Sequence, residues 1–190
     1  MANQSLIVIE ESGMNFGLYP IDNIFHIEKS NAYAKVSGRG VKMAEFLLLR
    51  CEGDCVPEIW IVEAKSSTGA WSELPKEFRD QAFLDFIRSI RDKFANSLTL
   101  GISMRVGRHG QPGVEQLPAS FQKLNLVDAG KARVRFVLAI QSCGRRDREH
   151  IREALTRELR PLCAMWSLPP YPAPIAVVDV AGARELGLVI

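Results

Sequence analysis

Three residues, Glu45, Glu63 and Lys65, have the types and spacing for phosphodiester chemistry. The stretch from Glu58 to Ser67, EIWIVEAKSS, reads as a buried β-strand ending in Glu63, Ala64 and Lys65. Buried charge is costly unless a partner compensates it. A partner is at hand, because Glu45 opens the preceding apolar run, which ends at Arg50. Two carboxylates and a lysine converging at one strand end suit a divalent metal and a phosphodiester.

The two runs must pair in one register to bring these groups together. Glu45 and Glu63 are symmetric about Asp54, in a turn-forming stretch with Gly53, and Pro57 stands at the entrance of the second strand. A hairpin centred there sets 45 opposite 63, 47 opposite 61 and 49 opposite 59. Alternation then places Glu45, Glu63 and Lys65 on one face with Leu47, Leu49, Ile59 and Ile61. Phe46, Leu48, Trp60 and Val62 take the other face. Both faces are apolar, which predicts helices on both sides of the sheet. A slip of one residue would separate the glutamates. Glu52 and Asp54 become the alternative acids only if the hairpin is wrong.

The elements around this hairpin follow from periodicity. Leu6 to Glu10 reads as a strand, Gly13 to Asn23 as turn and loop, and Asn23 to Val36 as strand or short helix. Gly38 to Gly40 breaks that segment, and Ser66 to Ser72 is a polar loop. A helix is predicted from Pro75 to Ala95, with Phe78, Ala82, Phe83, Phe86, Ile87, Ile90 and Phe94 as its apolar stripe. Leu98 to Val106 is a predicted strand, Gly107 to Leu117 a loop and Arg133 to Ile140 a strand. Arg146 to Cys163 is a second amphipathic helix. Pro169 to Pro174 is a rigid connector before a last strand, Ile175 to Val180, and a short tail. Strands alternating with helices argue for an α/β fold, a mixed central sheet flanked by helices, in a single domain over 1–190.

Composition narrows the function classes. The net charge of the 190 residues is +2, so nucleic-acid binding would need a local basic patch. Between residues 100 and 135, Arg105, Arg108, Lys123, Lys131, Arg133 and Arg135 oppose only Glu115 and Asp128. Arg105 and Arg108 are read as phosphate contacts. Arg145 and Arg146 open a helix, an unfavourable place for cations unless an anion docks there. Their interleaving with Asp147, Glu149, Glu153 and Glu158 also fits a salt-bridged helix surface. The N-terminal sequence does not read as a signal peptide and no apolar run reaches membrane-spanning length. Cys51, Cys55, Cys143 and Cys163 do not form a disulfide framework, so a reduced, cytoplasmic setting is expected. Cys51 and Cys55 lack the second ligand pair that zinc requires. His26, His109 and His150 are scattered and read as structural.

The order hairpin, helix, strand, helix, with Glu45 on the first hairpin strand and Glu63-Ala64-Lys65 on the second, resembles the PD-(D/E)xK nuclease superfamily. The resemblance covers roughly Glu28 to Cys163 and implies a restriction endonuclease-like fold. Ala44-Glu45 stands where the family has Pro-Asp. The resemblance implies that Glu45, Glu63 and the carbonyl of Ala64 hold Mg²⁺ or Mn²⁺, and that Lys65 orients the attacking water. Glu28 resembles an additional upstream acid of some branches, and Gln81 a helix glutamine of others. The implied partner is DNA, with a homodimer or larger complex where both strands are cut, in a role in defence or repair. The alternative is a non-catalytic binding or assembly module that keeps the nuclease-like sheet.

Overall fold

A computed structural model describes residues 5–50, 56–68, 71, 74–124, 132–168 and 174–190. Two strands, β1 (Leu6–Glu11) and β2 (Met14–Pro20), form an antiparallel hairpin. The segment after Gly13, expected as loop, is therefore mostly strand. Its inward residues Met14, Phe16 and Tyr19 are buried, whereas turn-forming Gly13 and Gly17 made it read as irregular. β3 (Ile24–Phe25) and the helix α1 (Asn31–Ser37) follow, so the ambiguous segment holds both kinds of element. Ser30 caps α1, accepting a hydrogen bond from the Tyr33 N–H at 3.1 Å.

Among the described residues the main sheet has five strands in the order β3, β4 (Phe46–Arg50), β5 (Glu58–Ser67), β6 (Arg133–Ser142) and β7 (Ile175–Val178). β3, β4 and β5 pair antiparallel, and β5, β6 and β7 pair parallel. The hairpin register is the one the symmetry requires: Phe46 faces Val62, Leu47 faces Ile61 and Leu49 faces Ile59. Asp54, Cys51 and Cys55 lie outside the described residues. The long helix α2 (Lys76–Arg105) leads through α3 (Gln111–Glu115) and α4 (Ala119–Lys123) towards β6, and α5 (Arg145–Met165) leads from β6 towards β7. The connector 169–173 also lies outside the described residues. A short helix, α6 (Val180–Glu185), follows β7 where a tail was expected.

Two cores lie on the two faces of the sheet. Leu47, Leu49, Ile59, Ile61, Phe136 and Leu138 pack under α2 and α5. Phe46, Leu48, Trp60, Val62 and Ala64 pack under β1, β2 and α6. The expectation of helices on both faces thus needs correction, because the second face is covered mainly by a β-hairpin. Either cover removes the apolar face from water, so the pattern of β4 and β5 does not distinguish them.

The predicted strand from Leu98 to Val106 is instead the last third of α2. Leu98, Leu100, Ile102 and Met104 alternate like a strand, but Phe94, Leu98, Gly101 and Met104 also line one helical face. No breaker separates Ala95 from Leu98, so the helix continues. Gly101 is required by close approach, since a Cβ there would lie 2.9 Å from a Leu47 methyl. Phe78, expected in the stripe, is exposed, one turn before the helix reaches the sheet. No helix among the described residues is long and apolar enough to cross a membrane.

Candidate functional site

Glu63 is a fully buried carboxylate on the α2-facing side of β5. Its Oε1 accepts a hydrogen bond from Lys93 Nζ at 2.7 Å and is ion-paired with Lys65 Nζ at 2.8 Å. Its Oε2 is buried and has no hydrogen-bond partner among the described residues. Lys65 arrives from the same strand two residues on, and one third of its side chain is exposed. Lys93 descends from the middle of α2 and is 14% exposed. Lys93 Nζ also lies 3.8 Å from Glu45 Oε1.

Glu45 is fixed by its backbone. Its N–H donates to the Val62 carbonyl at 3.1 Å, the last rung between the β4 and β5 segments. The preceding Ala44 N–H donates to Ser97 Oγ at 2.8 Å, and Asn96 Nδ2 donates to the Lys42 carbonyl at 3.0 Å. Lys93, Asn96 and Ser97 occupy successive positions on one helical face, so a single turn of α2 braces both acids. Carbonyls alternate sides along a strand. The Ala64 carbonyl therefore points to the same side of β5 as that of Val62, the side on which β4 lies.

Burial pushes the Glu45 carboxyl up to about 8; a hydrogen bond with Glu28 and the charge of Glu63 add to this, and Lys93 opposes it. Glu28, exposed in the turn before α1, is thereby brought to the site. Burial draws Lys93 down, but Glu63, Glu45 and Glu28 outweigh it and hold the ammonium above the ordinary lysine value.

The other candidates are placed elsewhere. Gln81 is exposed and donates to Asp85 at 2.8 Å, about 18 Å along α2 from Lys93 at 1.5 Å per residue. Arg105 lies about as far in the other direction, where its guanidinium donates to the Leu124 carbonyl at 2.9 Å. Its expected place on a phosphate track beside the acids is corrected accordingly: it closes the end of α4. Arg108 is exposed just beyond the same end of α2. Arg145 and Arg146 are exposed at the start of α5, beyond the carboxyl ends of the parallel strands β5 and β6. Arg145 reaches Glu149 at 3.1 Å. Arg133 and Arg135 lie at the opposite end of the sheet, with Arg135 stacked on Trp60. The histidines are structural in their surroundings: His109 Nε2 meets Ser103 Oγ at 3.1 Å and His150 stacks on Phe83.

Asn96 and Ser97 lie beyond Ala95, where the sequence ends the predicted helix, whereas Lys93 lies inside that helix, off its apolar stripe. Their signal was present: Ser97 is a polar residue inside the apolar stripe formed by Phe94, Leu98 and Gly101.

Among the described residues no group of three or more histidine, cysteine, aspartate or glutamate side chains stands arranged to hold a metal ion. The donor chemistry nevertheless suits a hard cation: the orphaned Glu63 Oε2, the Glu45 carboxyl with Glu28 beside it, and the Ala64 carbonyl. No family model, curated protein or solved structure is found to match this chain.

Proposed function

We propose that this chain is a Mg²⁺-dependent nuclease that hydrolyses phosphodiester bonds in DNA, on a restriction endonuclease-like sheet. The observation that carries the reading is Glu63: a fully buried carboxylate, bonded to the strand-end Lys65, with its second oxygen unpartnered beside Glu45. Burial of such a group without a complete set of partners is costly, and perturbed ionisable clusters mark functional sites. The order β4–β5 hairpin, α2, β6, α5 is the one on which the family resemblance rests. Mg²⁺ or Mn²⁺ bound here would supply Lewis-acid stabilisation of charge on the phosphate.

The chain's own groups divide the remaining work. Glu63 Oε2, Glu45 and the Ala64 carbonyl would hold the cation, with Glu28 supporting Glu45. Lys65 combines contact to Glu63 with exposure, so its ammonium can meet a substrate phosphate and the attacking water. Arg145 and Arg146, at the same end of the sheet, would track the backbone of the DNA. The free thiols of Cys143 and Cys163 accord with a reduced, cytoplasmic setting. A homodimer would place two such sites on two strands.

A second reading has its own support. Lys93 already neutralises Glu63 and approaches Glu45, which suits a site that holds no metal and a chain that binds or assembles without cutting. Incubating the protein with linear, circular, single-stranded and branched DNA, with Mg²⁺ or Mn²⁺, separates the two. The nuclease reading expects metal-dependent cleavage that Lys65→Ala abolishes while cooperative unfolding persists. Salt-dependent DNA binding without cleavage in either metal would favour the binding module, and neither binding nor cleavage an assembly role.

A further inference from the structure

Charge counting at the acidic pair gives Lys93 a part that the nuclease reading does not assign. Glu63, Glu45 and the neighbouring Glu28 supply at most three negative charges, and Lys65 and Lys93 supply two positive ones. A divalent cation added to this set would leave an excess of at least one positive charge in a site closed by α2. Like charges a few ångströms apart in a buried setting repel strongly. Withdrawal of one ammonium as a cation enters relieves that excess.

The geometry selects which one. Among the described residues Lys65 is ion-paired with Glu63, not with Glu45, and it already reaches solvent. Lys93 Nζ is shared by the two acids, 2.7 Å from Glu63 and 3.8 Å from Glu45, so any cation that took both carboxylates would compete with it. Its stem is a flexible four-carbon chain, so the ammonium can withdraw without movement of the helix backbone. Meanwhile Asn96 and Ser97 hold the 42–45 segment to α2 independently of it.

We propose that Lys93 is the resident counter-ion of the Glu45–Glu63 pair, and that a divalent cation binds there by displacing its ammonium. This rests on the reading of the pair as a metal site. It makes metal occupancy a competition between an internal and an external cation, so the protein remains in its metal-free state until the metal concentration is high enough to win.

Calorimetric titration of the intact protein with Mg²⁺, without DNA, tests it. Lys93→Met keeps the apolar stem and leaves Glu63 paired with Lys65. It is expected to bind Mg²⁺ roughly tenfold more tightly than the wild type, or to gain binding that the wild type lacks. Unchanged or weaker binding overturns the proposal, as does an equal gain in Lys65→Met, which would reduce the effect to net charge. Should Lys93→Met not fold without metal, recovery of cooperative unfolding on adding Mg²⁺ supports the proposal and failure to recover overturns it. Cleavage is measured separately on the wild type. Tighter Mg²⁺ binding by Lys93→Met with no wild-type cleavage removes the nuclease reading and leaves the counter-ion standing. Wild-type cleavage without the gain does the reverse.

Discussion

Strand β5 carries two charged clusters, one on each face and near opposite ends. At its carboxyl end Glu63 is sealed under α2 with two ammonium groups on one oxygen. At its amino end Trp60 is flanked by Arg50 and Arg135, whose guanidinium carbons lie 4.6 and 4.7 Å from the ring. Glu58 there accepts from Trp60 Nε1 at 2.9 Å and lies 3.7 Å from Arg133. The second cluster meets its cations with an aromatic face, a backbone carbonyl and solvent, Arg50 also donating to Leu186 O at 2.8 Å, and leaves one buried nitrogen, Arg135 Nε, without a hydrogen-bond partner among the described residues. The first cluster confines its charges and leaves a carboxylate oxygen without a partner. Half-exposed charge on a strand is ordinary surface chemistry, whereas fully buried charge with an unmet partner requires a further cause.

The comparison is tested most severely by removing the acid at each end. Glu63→Ala leaves the Lys65 and Lys93 ammonium groups around a cavity and is expected to cost about 3–5 kcal/mol. Glu58→Ala removes an ion pair whose arginine is half exposed and the acceptor of Trp60 Nε1, and is expected to cost about 1–2 kcal/mol. Urea unfolding of both variants checks this. Equal losses would mean that β5 treats its two ends alike.

Glu45 sharpens the contrast through pH. Its carboxyl is raised from 4.5 to about 8 in the folded protein, first by burial, then by Glu28 and Glu63. Between these values the folded state keeps a proton that the unfolded state has released, so stability falls as pH rises through the window. At about 1.4 kcal/mol per unit the loss should reach a few kcal/mol by pH 9. Glu45→Gln cannot ionise, so its melting temperature should exceed that of the wild type by a margin that grows from pH 5 to pH 9. Parallel pH profiles would show that Glu45 is not held in its neutral form.

Ser97 supports the same site from the helix. Ser97→Ala deprives the buried Ala44 N–H of its acceptor and should cost about 1–3 kcal/mol. It should also loosen Glu45, so that the pH dependence just described shrinks. Stability lost with the pH profile unchanged would mean that Ser97 braces the chain without positioning the acid.

The acids were legible in the sequence because a strand obeys a period of two. Once the symmetry about Asp54 was seen, Phe46 opposite Val62 and the shared face of Glu45 and Glu63 followed. Lys93 was not legible, because its place depends on where α2 crosses the sheet; Asn96 and Ser97 were hidden because the alternation from Leu98 to Met104 imitated a strand. Arg105 was misplaced for a related reason. Arginines clustered in sequence read as a basic patch, whereas α2 carries Arg105 away from the acids to Leu124. The covering of the second face by β1 and β2 was hidden by Gly13 and Gly17, which disguised a strand as a turn.

The smallest expected effect lies at Arg135, where the quieter cluster can be broken. Its Nε is buried without a hydrogen-bond partner, so the guanidinium is held by stacking and by its stem rather than by directed bonds. Arg135→Met keeps an unbranched side chain against Trp60, where sulfur contacts an aromatic ring favourably. It also removes an unsatisfied buried N–H, which offsets the lost cation–π attraction of about 0.5–1 kcal/mol. Stability should stay within about 0.5 kcal/mol of the wild type. Cleavage and Mg²⁺ binding should not change, since Arg135 lies at the other end and on the other face of the sheet. A large loss of stability would show that the arginines confine Trp60 as the lysines confine Glu63, and the two ends of β5 would then differ in sign of charge rather than in kind.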